Sequence, residues 1–236
     1  MGFKYLNKEQ DIFDGDDGED VYANEEQLQA RLEYFEGQLA GLSEGAPIEE
    51  RITSLLEIGR IQVERYKGAD AWEKAFTAFN LAQQDELWEL AVEACDVMFL
   101  SEGPDALVAL GHALWLGVTF PIDPEITVAM LQHLVEESPE EADTRAVAAA
   151  AAHYITSVRC GADDELTFFT SQMLASVADK HSHITDQSTF DLWRKTLKLD
   201  EPEVFLKKLS GAVDQLVDDK WWIDRDKIKA KLDNET

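Results

Sequence analysis

The chain has 236 residues, 45% of them hydrophobic, and a formal net charge of −27 at pH 7 from 48 acids and 21 bases. A charge of that sign excludes direct nucleic-acid binding and attraction to anionic membranes, since both need positive charge, and leaves a basic protein or peptide partner, a cation site or plain solubility. No run of 18 uncharged apolar residues occurs; the closest, residues 108–122, is too short to span a bilayer and contains His112.

The first 22 residues read as an acidic arm ahead of a single all-helical domain, residues 23–236. The opening "MGFKYLNKEQD" lacks the apolar core of a signal peptide. The stretch "DIFDGDDGEDVY", residues 11–22, places six acids in twelve positions. A calcium loop starting at Asp14 would have Asp16 and Glu25 in register. Gly18 and Glu19 then stand one place out for the ligand and the turn, so no calcium site is expected. Phe13, Asp14, Asp16, Asp17, Glu19, Asp20 and Tyr22 are instead candidate partner-binding residues, with the two aromatics as anchors.

Helical spacing then takes over. Asn24 reads as an N-cap, followed by Leu28, Leu32, Phe35 and Leu39. Pro47 opens a second helix with Ile52, Leu55, Leu56, Gly59 and Val63 along one side. A third covers residues 69–83 and a fourth 85–100. Pro104 opens a fifth, Pro124 a sixth and Pro139 a seventh. The seventh contains "AVAAAAAHYI", whose small side chains let helix axes approach. An eighth follows Ala162, a ninth covers residues 189–199, Pro202 opens a tenth, and a short last helix follows "WWIDRD". Ten or so helices on short connections make an all-α fold of antiparallel pairs, either a solenoid or a compact helical bundle.

Residues 66–82, "YKGADAWEKAFTAFNLA", carry Tyr66, Trp72, Ala75, Phe79 and Ala82 at the offsets of a tetratricopeptide repeat. Over about residues 59–87 the chain therefore resembles that family. Val63 stands where the motif has glycine, and Leu87 where it has its closing proline. "ALGHALWLG", residues 109–117, resembles the first helix of another such unit. The resemblance implies repeat-like helix packing and a protein-binding role.

Chemistry-bearing motifs are sparse. No Glu precedes any of the five histidines by three residues, and HExxH, CxxC, a glycine-rich phosphate loop and GxSxG are all missing. No catalytic residue, metal ligand or cofactor is therefore assigned. Cys95 and Cys160 read as buried thiols of a cytoplasmic, reduced protein. In "DDKWWIDRDKIKAKL", residues 218–232, Trp221 and Trp222 are candidate partner contacts, or pins for the last helix. The expected function is that of a non-enzymatic protein-binding or scaffold protein whose acidic face recognises a basic partner. One alternative is an acidic inhibitor, immunity protein or nucleic-acid mimic, since 27 charges match roughly 46 Å of duplex at one per ~1.7 Å. A helical enzyme is the other.

Overall fold

The computed structural model describes residues 5–6 and 18–235, with side chains from 24 to 234 and at 5–6. Among the described residues the fold is all-α, with eleven helices and no strand. These are α1 (Gly18–Gly41), α2 (Ile48–Glu64), α3 (Gly68–Gln84), α4 (Trp88–Leu100), α5 (Ala106–Thr119), α6 (Pro124–Glu137), α7 (Asp143–Arg159), α8 (Glu165–Ser182), α9 (Gln187–Leu197), α10 (Pro202–Val217) and α11 (Arg225–Glu235). Phe13, Asp14, Asp16 and Asp17 lie outside the described residues. Glu19, Asp20 and Tyr22 fall on the backbone of α1, which starts at Gly18, so Asn24 is helix interior rather than the N-cap. The start of α7 also differs from the proline signal. Pro139 and Ala142 close a turn instead, Ala142 N donating to Pro139 O at 3.0 Å, and the helix begins at Asp143.

Each helix from α1 to α8 packs on the next in antiparallel sequence. Two layers result: α2 touches α4 and α4 touches α6, while α3, α5 and α7 lie behind. The sequence explains why α2 sits inside the stack. It carries two apolar stripes: Ile52, Leu55 and Leu56 enter the main core, and Ile58 and Ile61 meet Leu28 and Leu32 of α1. In α7 every residue from Ala146 to Ala152 is buried. Its alanines let α6, α8 and α10 close on it from three sides. Gly59 brings α2 against α4, since a Cβ there would lie 2.9 Å from Val97 Cγ1. Gly111 seats α10 on α5, since a Cβ there would lie 2.4 Å from Val217 Cγ2.

The turns repeat one device. Lys67 N donates to Gln62 O, Leu87 N to Ala82 O and Leu199 N to Arg194 O, each at 2.8 Å. This six-to-one bond ends a helix through one left-handed residue. Tyr66, Glu86 and Lys198 fill that position with φ of 55°, 57° and 59°, where glycine is usual. Arg159 ties the end of α7 to the end of α5. Its guanidinium donates to Gly117 O at 3.1 Å and Phe120 O at 3.0 Å, satisfying carbonyls that α5 leaves open.

Candidate functional site

All eight residues of α4 from Ala91 to Met98 are buried, and two of them are acids. Glu93 is 7% exposed and Asp96 9%. Three residues apart, they share one helix face. A carboxylate buried without a partner costs several kcal/mol, so each requires a cation. The flanking helices of the front layer supply them. Arg60 of α2 pairs with Glu93, and with Glu57 at 2.6 Å. His133 of α6 meets Asp96 through Nε2 at 3.2 Å and lies 3.9 Å from Glu136 through Nδ1. Burial opposes charge on His133, but hydrogen bonds to Asp96 and Glu136 outweigh it and push its pKa up to about 9. The same contact holds the Glu136 carboxyl below its usual range. An imidazolium with both nitrogens turned to carboxylates has no lone pair to offer as a base near neutral pH.

This charged strip floors a groove across α2, α4 and α6, and Tyr5 and Leu6 lie in it. Tyr5 and Leu6 are half-buried and pack against the core. The Tyr5 N–H donates to the Glu125 carboxylate, and its phenol hydrogen-bonds Glu93. Burial first, then the Glu93 charge, pushes the phenol pKa well above the ordinary tyrosine value. A cavity of about 230 Å³ remains beside the two residues. That is below the usual size for a drug-sized ligand but sufficient for another side chain.

The tryptophans singled out from the sequence lie elsewhere, on the α3–α5 side. Both are half-buried and turned onto the body. Trp222 stacks on His112 at 4.4 Å and meets Trp72, Phe76 and Phe79 edge-on. Trp221 lies 5.0 Å from His112 and under Arg225, whose guanidinium carbon is 3.7 Å from its ring. His112 is fully buried and accepts the Trp222 N–H on Nε2 at 2.9 Å. Its Nδ1 faces Val108 O at 2.8 Å, which makes Nδ1 the protonated nitrogen. Burial is the chief cause that brings its pKa down to about 4. Trp222 thus pins the C-terminal segment to α3 and α5.

The other sequence signals separate in the same way. Ala75, Phe79 and Ala82 are buried, while Tyr66 is 98% exposed at its left-handed turn. Cys95 is buried, but Cys160 is only partly so. Among the described residues no three His, Cys, Asp or Glu side chains gather as a metal site, and no helix is long and apolar enough to cross a membrane. Sequence reading missed Arg60, Glu93, Asp96 and His133. A signal was there: two acids three apart inside the apolar run "LAVEACDVMFL" demand partners. Compared with known protein families, curated proteins and solved structures, the chain finds no match in any of the three.

Proposed function

We propose that this chain is a repeat-like, protein-binding helical module whose groove across α2, α4 and α6 recognises a short segment of a basic partner protein. The observation that carries the reading is Tyr5 and Leu6 lying in that groove, one backbone N–H on Glu125 and one hydroxyl on Glu93. A groove that takes both a main-chain and a side-chain group of one short segment suits a peptide guest. Spacing supports the repeat-like part. Arg60 and Glu93 are 33 residues apart, and Asp96 and His133 are 37 apart. One helix pair of a tetratricopeptide array takes about 34. Stacked pairs of this kind present alternate helices as one binding surface. The net charge of −27 would steer a basic partner towards it.

The test is a peptide-display selection against the full chain carrying Tyr5→Ala and Leu6→Ala, which frees the groove. Enriched sequences should pair an aromatic with an aliphatic residue, carry Lys or Arg beside them, and lose affinity on Glu93→Gln. Binders indifferent to Glu93, or no enrichment at all, would overturn the reading.

A further inference from the structure

Residues 1–8 hold two lysines and no acid, whereas residues 9–20 hold seven acids and no base. The described part of that short basic stretch, Tyr5 and Leu6, is what the groove holds. Lys4 and Lys8 flank the pair in sequence. The groove has the complementary sign: Glu57, Glu93, Asp96, Glu125 and Glu136 outnumber Arg60 and His133. Glu93 accepts from Tyr5 in addition to its ion pair with Arg60, and Glu125 accepts the Tyr5 N–H, so these two carboxylates are the groove's acceptors for a guest.

Building on the proposed binding role, we infer that the cognate segment is a lysine-flanked aromatic–aliphatic pair, and that Tyr5 and Leu6 are a copy of it held in cis which a partner must displace. A tethered segment competes at an effective concentration of about a millimolar. A copy that binds with micromolar strength on its own therefore stays seated and raises the apparent Kd of any competitor. The cis copy leaves about 230 Å³ unfilled. A partner with a bulkier residue than Leu6 would gain contact there and win the exchange.

The experiment uses the fluorescently labelled peptide GFKYLNK, titrated by anisotropy into the full wild-type chain and into the full chain with Tyr5→Ala and Leu6→Ala. The inference expects at least tenfold tighter binding to the double variant. It also expects a reversed-charge peptide, GFEYLNE, to bind neither protein. Equal affinity for wild type and variant would overturn the cis copy and leave the groove reading standing. Binding to neither protein would overturn the groove as a site for this segment, and the proposed function with it. If the double variant melts early, Tyr5→Phe replaces it, since it removes only the hydroxyl given to Glu93. A gain of about threefold is then expected, and none would overturn the inference.

Discussion

His133 and His112 sit in opposite layers of one helical stack and are held in opposite protonation states. His133, in the front groove, faces Asp96 and Glu136 and is kept charged, with a pKa near 9. His112, between α5 and the returning C-terminal segment, faces a carbonyl, a backbone N–H and aromatic rings, and is kept neutral, with a pKa near 4. The difference separates two uses of burial. The back closes by packing, which gives stability and resists exchange. The front is closed by ion pairs, and its carboxylates also accept from Tyr5. The proposed recognition uses the second kind of surface.

The largest expected effect is on the back. Trp222→Ala removes a ring that stacks on His112 and meets three aromatics of α3. It should cost about 3 kcal/mol and lower the Tm by about 6–12 °C for a domain this size. A scanning calorimetry trace that does not move would show that the C-terminal segment is not fastened there.

Acid sharpens it next. The folded pKa of His112 lies below its unfolded value of about 6.5, so the unfolded chain binds the extra proton as pH falls. Its stabilising effect is whole above about pH 6.5 and should shrink by about 2 kcal/mol between pH 7 and 5. Urea unfolding at the two pH values reads this, and His112→Gln should flatten the slope. Base does the reverse on the front. The folded pKa of His133 lies above its unfolded value, so its contribution is whole below about pH 6.5 and is lost as pH rises towards 9. A loss of about 1–2 kcal/mol between pH 7 and 9 is expected in the wild type and not in His133→Gln. Equal slopes in wild type and variant would remove the histidine from the groove's electrostatics.

The smallest effect lies in the turns that both layers share. Tyr66 is exposed and left-handed, so its backbone is strained and its ring packs on nothing. Tyr66→Gly should raise stability by about 0.5 kcal/mol, the relief of strain exceeding the extra entropy of glycine in the unfolded chain. A melting temperature that falls would show that the tyrosine has a role in the turn.

These residues also mark what a reader of the sequence sees. Helices were legible because apolar residues recur at three and four and prolines stand at starts such as Pro47 and Pro124. The alanine run of α7 announced its central position. The turns were less legible, because Tyr66, Glu86 and Lys198 occupy places where glycine would have signalled them. Glu93 and Asp96 advertised a need for partners, but Arg60 and His133 answer it from 33 and 37 residues away, across helix pairs, and only the stacking of α2, α4 and α6 joins them. Trp221 and Trp222 drew attention by residue type. Their role followed from His112, 110 residues distant from Trp222, whose buried Nε2 accepts the Trp222 backbone N–H.

The division of the molecule into a binding front and a fastened back is tested most directly by amide NMR of the full chain carrying Tyr5→Ala and Leu6→Ala, titrated with unlabelled GFKYLNK. Shift changes are expected in α2, α4 and the first half of α6, strongest around Arg60, Glu93, Asp96 and Glu125, with the amides of His112 and Trp222 unmoved. Changes centred on His112 and Trp222, with the groove silent, would contradict it.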